Sequence, residues 1–270
     1  MDFSFGTDQL SAEYKNHEFF NELTNIEEVY DSLSENSRSF IGTATPVINL
    51  DSNLYMAIKG TIKAIRHVFK EGLINDGFTL IRKYNDELLV YMYQRAYILN
   101  HNEKWESLEE LFKVPKISDW VEGNGYMPYS YKMERYLSMN PKTKGLWECF
   151  NGQYFRKVRR FCNDNVHLNS YVIMMLNDNE RYMKDREKWL TKAMRIMQNL
   201  FTMYLAFIFY VDYHYTMSSD YVDFKEMGMT PPDGSQYWLA PFAQDAFNRY
   251  IAPHEGLASF IKKNSPMKIE

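Results

Sequence analysis

From Leu54 onward the apolar residues return every three or four positions, at Leu54, Ile58, Ile62, Ile65 and Phe69, until a glycine at 72. That interval lays them on one stripe of an α-helix. Asp51 or Ser52 can cap its start, and Gly72 can end it. The same interval carries Phe78, Leu80, Ile81, Tyr84, Leu88, Leu89, Tyr91 and Met92 toward Leu99, so the two segments are expected to form an antiparallel helix pair. A third segment, 186–217, places Trp189, Ala193, Ile196, Leu200, Met203, Phe207 and Tyr210 around much of its girth, as a central helix does. Only 12 Gly and 9 Pro stand among 270 residues that are 45% hydrophobic, which favours long helices over a sheet with many turns. An all-α fold follows.

The rest of the chain is organised around these helices. Residues 1–50 are mixed and polar, with helical hints at Ser11–Leu23 and Ile26–Ser34 and a looser run to Asn49, and are expected to wrap the remainder. Residues 103–142 form an irregular insertion with short helices at Ser107–Phe112 and Tyr131–Ser138, punctuated by Pro115, Gly123, Gly125, Pro128 and Pro141. A long helix is expected from Gly145 or Trp147 to Val172, a loop over 218–235, and C-terminal helices over Tyr237–Ile251 and His254–Lys263. With no repeat or linker in sight, 51–270 is expected to be a single domain. The start of the chain lacks the basic and apolar runs of a secretory signal, and Cys149 and Cys162 belong to no Cys-x-x-Cys pair; a reducing cytoplasm fits. Leu200–Val211 is the most apolar stretch but shorter than the ~20 residues of a bilayer crossing, so no membrane partner is expected.

With a formal charge of −4 and pI about 5.9, the chain has no global positive field for nucleic acid; any such binding needs a local patch. The densest basic run is Arg156-Lys157-Val158-Arg159-Arg160, within 154–170. As a helix this stretch turns Phe155, Val158, Cys162 and Val166 to one side and Arg160, Asn163, Asp164 and His167 to the other. A guanidinium, an amide, a carboxylate and an imidazole on one stripe suit a phosphodiester better than a sugar or an acyl group. An amphipathic helix also turns such a face to water by default, so the face alone does not require a function. Gly-rich phosphate loops, a Gly-x-Ser-x-Gly elbow and a His-Glu-x-x-His helix are all absent. A second polar group, Asp212, His214, Asp220 and Asp223, offers metal-ligand chemistry at a spacing that matches no site of known mechanism.

Arg160, six intervening residues and His167, late in an all-α chain, resemble the arginine–histidine motif of the HEPN superfamily, helical bundles that include many metal-independent ribonucleases of toxin–antitoxin and antiviral systems. The wider run from Arg159 to Asn169 is also similar to a set of bacterial proteins sharing an arginine, a Cys-Asn-Asp and a His-x-Asn in that order. Segments like Ser218–Tyr221 and Met229–Pro231 recur in that set, so the likeness covers most of 50–270. The resemblance implies a HEPN-like helical bundle, homodimeric, in which His167 acts as general acid/base on RNA and Arg160 holds the phosphate. It implies that Asp164 orients the imidazole, that Asn163 or Asp164 supplies the polar group usually found right after the arginine, and that Arg156, Lys157, Arg159 and Asn169 guide the RNA backbone. No metal or cofactor is required. An antitoxin or defence-system partner protein is implied as well. Phe161 departs from the polar residue that the catalytic members usually carry after the arginine. The alternative is a non-catalytic bundle of the same kind whose Arg160–His167 face binds a partner protein or a nucleotide.

Overall fold

The computed structural model describes residues 11–38, 49–101, 114–150, 152–178 and 186–270. The helices are α1 Ala12–Lys15, α2 Glu18–Ser37, α3 Leu50–Lys70, α4 Ile74–His101, α5 Pro115–Val121, α6 Ser130–Met139, α7 Lys144–Cys149, α8 Tyr154–Val166, α9 Tyr171–Met174, α10 Arg186–Val211, α11 Asp220–Glu226, α12 Pro241–Ala246 and α13 Glu255–Asn264. Among the described residues there is no strand, only two isolated bridges, Met217 with Leu239 and Trp238 with Lys268. The chain is all-α.

Several elements depart from their expected bounds for identifiable reasons. α2 runs unbroken because Phe19, Leu23, Ile26, Tyr30 and Leu33 form one buried stripe at helical spacing, so the N-terminal segment contributes to the core. α3 starts at Leu50, which puts Asp51 inside its first turn and not at the cap. The long helix expected over 145–172 is three pieces: Phe150 is extended, α8 begins only at Tyr154, and the chain turns again at 167–170 before α9. α10 ends at Val211 because Asp212 leaves helical geometry (φ −112°, ψ 34°). α11 occupies part of the expected 218–235 loop, with Asp220 and Asp223 in a first turn where carboxylates are favourable. Pro241 sits at the start of α12, a position its missing N–H suits, and the helix then widens into a π turn over Phe247–Ile251. The short helix expected at Ser107–Phe112 lies outside the described residues.

Two compact units emerge. The first comprises the described residues within Met1–Tyr30, Met56–Leu88 and Gln153–Phe201. Its core joins Phe19 to Phe69 (ring centroids 5.1 Å), Phe69 to Phe78 (5.6 Å), and Phe78 to both Phe161 (5.1 Å) and Trp189 (5.9 Å), the edge-to-face geometry aromatic quadrupoles favour. Gly72, at φ 74°, closes α3: the Leu73 N–H reaches the Val68 carbonyl and the Gly72 N–H the Phe69 carbonyl. The buried Arg186 guanidinium donates to the carbonyls of Gly72 (2.5 Å) and Leu176 (2.8 Å), satisfying groups at the ends of two helical segments.

The second unit comprises the described residues within Asp31–Tyr55, Leu89–Gly152 and Thr202–Glu270. Tyr91, Tyr204 and Phe207 pack in its core, and Leu50, Ile98, Val114 and Ile117 form a further buried cluster. Val114 and Ile117 come from the segment expected to be an irregular insertion, which therefore contributes to the core. α10 is long and apolar enough to cross a membrane by length and composition, yet 67% of its apolar window is buried within the protein, as a core helix requires.

Candidate functional site

α8 carries the arginine and leads into the histidine. Its apolar side is spent on the first unit: Phe155, Val158 and Cys162 are buried. Burial pushes the Cys162 thiol up to about 12, which removes it as a nucleophile near neutral pH. The opposite side is a stripe at positions 156, 160, 163 and 167, steps of four, three and four that keep side chains in one row. Arg156, Arg160 and His167 on that row are exposed, as is the neighbouring Lys157. The side chains of Arg160 and His167 make no hydrogen bond or ion pair among the described residues. Two turns separate them, roughly 10 Å along the axis.

Several of the other expected participants have structural partners. His167 itself is the C-cap of α8, its N–H bonded to the Asn163 carbonyl. Leu168 follows at φ 50°, left-handed for a residue with a Cβ, and the Asn169 N–H then reaches the Asp164 carbonyl at 3.0 Å. Asn169 Nδ2 also donates to Asp164 Oδ1 at 2.9 Å. Asp164 and Asn169 thus lock the turn that presents His167. They are positioned as a helix terminus, where the resemblance implied an imidazole partner and an RNA contact. Arg159 is half-buried and donates to Asp86 at 3.1 Å; burial raises the Asp86 pKa and the guanidinium opposes that shift. Arg159, expected as a guide for RNA, is thus ion-paired within the first unit. Asn163 is half-buried, and its side-chain carbonyl oxygen is buried with no partner among the described residues.

Phe161 turns away from the stripe. Its ring meets Phe78 edge-on and lies 3.6 Å from the Lys192 ammonium. An apolar residue beside the arginine is therefore explained by packing in the first unit, 100° around the helix from Arg160.

Sequence reasoning missed a buried electrostatic cluster in the second unit. Arg95 donates through Nε (2.8 Å) and Nη2 (2.6 Å) to Asp212 Oδ1 and through Nη1 (2.9 Å) to Asp51 Oδ2. Tyr91 donates to Asp212 (3.1 Å) and Tyr215 to Asp51 (2.5 Å), while the Tyr55 and Tyr91 hydroxyls bond each other at 2.5 Å. Burial raises the Asp51 pKa, Arg95 pulls it back and Asp212 pushes it further up. The same burial drives the Tyr55 and Tyr91 hydroxyls well above their ordinary range. For Arg95 burial acts against the charge, but the two carboxylates hold it protonated. A sequence signal for this existed: Leu88, Tyr91, Arg95 and Ile98 share one stripe of α4, so a cation stands on an apolar face and needs buried anions.

The same cluster removes the metal-ligand reading. Asp212 is turned inward to Arg95, and Asp220 accepts from the neighbouring Ser218 hydroxyl. Asp212, His214, Asp220 and Asp223 form no joint ligand set, and among the described residues no group of three or more His, Cys, Asp and Glu side chains does. Comparison with protein-family models, with curated proteins and with solved structures found no match for this chain.

Proposed function

We propose that the protein is a metal-independent RNA endonuclease of HEPN type, acting as a homodimer in a cytoplasmic toxin or antiviral role. The observation that supports this most is the outward stripe of α8, on which the side chains of Arg160 and His167 stand exposed and unengaged among the described residues while Arg159, Asp164 and Asn169 beside them are tied into the fold. The imidazole of His167 takes the proton of the ribose 2′-hydroxyl as that oxygen attacks the adjacent phosphorus, and the bond from phosphorus to the 5′-oxygen breaks. The leaving oxygen must then receive a proton. The products are a 2′,3′-cyclic phosphate and a free 5′-hydroxyl. One face holds one imidazole, so two copies of it, facing a shared strand, provide both proton transfers. Arg160 compensates the charge that grows on the non-bridging oxygens. DNA lacks the internal nucleophile and is spared.

A transcript-cleavage assay tests this. Wild-type protein should cut RNA with or without a chelator, and His167→Ala or Arg160→Ala should lower the rate by roughly 10²–10⁴-fold without loss of helicity. Equal cleavage by all three proteins, or loss of wild-type cleavage in chelator, refutes the reading. The commitment of Asp164 to Asn169 favours one competitor, a bundle that uses the same stripe to hold a partner without catalysis. Intact RNA with every protein would refute the nuclease reading and favour that competitor.

A further inference from the structure

Among the described residues of the second unit, nothing covers the outer face of α6. Met133, Glu134 and Leu137 turn inward, which leaves Tyr131, Lys132, Arg135 and Met139 exposed within about 100° of the helix surface. The Tyr129 ring, just ahead of the helix, lies nearly parallel to that of Tyr131, with centroids 6.2 Å apart and planes 10° from each other. Tyr129 is 74% exposed and Tyr131 55%. Tyr126, in the loop before them, is 97% exposed. The Lys132 ammonium sits 6.0 Å from the Tyr131 centroid. Exposed tyrosines in this number within a few residues cost solubility and mark a surface that something covers.

We infer that this tyrosine-rich face of α6 binds single-stranded RNA, its bases stacking on Tyr126, Tyr129 and Tyr131 and its phosphates lying against Lys132 and Arg135. The charge pattern selects the occupant. Both exposed charges of α6 are positive and its single carboxylate, Glu134, is buried, so the helix face is complementary to an anionic chain, while the exposed carboxylates of Asp119 and Glu122 lie on the Tyr126 side and leave the phosphate contacts to Lys132 and Arg135. Exposed aromatic rings interleaved with cations are how single strands are held without reading their sequence. A duplex keeps its bases stacked on each other and offers such rings nothing. The choice of RNA over DNA rests on the nuclease reading; the stacking surface itself does not.

Fluorescence anisotropy of a labelled oligouridylate, titrated with His167→Ala protein so that no cleavage intervenes, tests the inference. The double substitution Tyr129→Ala/Tyr131→Ala should weaken binding roughly ten- to a hundredfold, whereas Tyr129→Phe/Tyr131→Phe should retain it, since stacking needs the ring and not the hydroxyl. Lys132→Glu/Arg135→Glu should weaken binding and flatten its dependence on salt. Unchanged affinity of the double-alanine protein overturns the site, as does equal affinity for a duplex. If those substitutions instead alter only the sedimentation of the protein, the face is a contact between copies and the inference is wrong. Equal or tighter binding of the matching deoxy strand overturns the assignment to RNA. Binding that survives while wild-type cleavage proves absent would refute the nuclease reading and leave this site standing.

Discussion

Leu168 shows what a single residue's backbone does for the candidate site. At φ 50° it occupies the position that Gly72 fills at the end of α3, and both turns close with the same hydrogen bond, from the second residue past the cap back to the last turn of the helix. A side chain in that region costs roughly 1–2 kcal/mol, which glycine avoids. Leu168 is half exposed, so its burial returns little of that cost. Leu168→Gly is therefore expected to stabilise the protein by about 1 kcal/mol in urea titration, less whatever unfolded-state entropy the glycine adds. A destabilised variant would mean that the leucine makes a contact worth more than the strain. Strain carried beside an exposed histidine is a common companion of function, and here it sets the direction in which His167 is offered.

At the scale of elements, the junction of α3 and α4 decides how the first unit packs. Gly77 lies in the first full turn of α4, where alanine is ordinarily better by about 1 kcal/mol. A Cβ at that position would stand 2.3 Å from the Phe69 ring, which is itself wedged edge-on between Phe19 and Phe78. Overpacking of that kind costs ~1–3 kcal/mol, enough to reverse the helix preference. Gly77→Ala should accordingly lower the midpoint of thermal unfolding by several degrees; an unchanged or raised midpoint would show that the ring stack can shift at little cost. α8 is governed by a simpler rule. Its apolar side is fixed by Phe155, Val158 and Cys162 in the core, so the Arg156–Arg160–His167 row faces outward as a geometric consequence.

At the scale of the whole molecule, the Arg95 network ties together chain segments far apart in sequence, the start of α3, the second half of α4 and the end of α10. Asp212→Asn leaves a buried guanidinium with a single anion and is expected to cost ~3–5 kcal/mol. Asp51→Asn should cost clearly less, because Arg95 keeps Asp212 and the strain of ionising a second buried carboxylate is relieved. Since burial raises the folded-state pKa of Asp51, its contribution to stability is complete below the ordinary aspartate range and is lost as pH rises through the raised value. Asparagine does not titrate, so the deficit of Asp51→Asn relative to wild type should narrow as pH is raised, measured by urea unfolding; a deficit that is constant or grows refutes the shift. The sequence by itself determined that the chain is helical and where α3, α4 and α6 run, because a repeat of three or four apolar positions is a local property. It also determined which side of α8 is buried. Only the tertiary structure decided that Phe161 packs against Phe78, that Arg159 belongs to Asp86, and that Asp51 and Asp212, 161 positions apart, meet one arginine. Those are contacts between distant segments, and spacing along a chain carries no record of which buried charge another helix will bring to meet it.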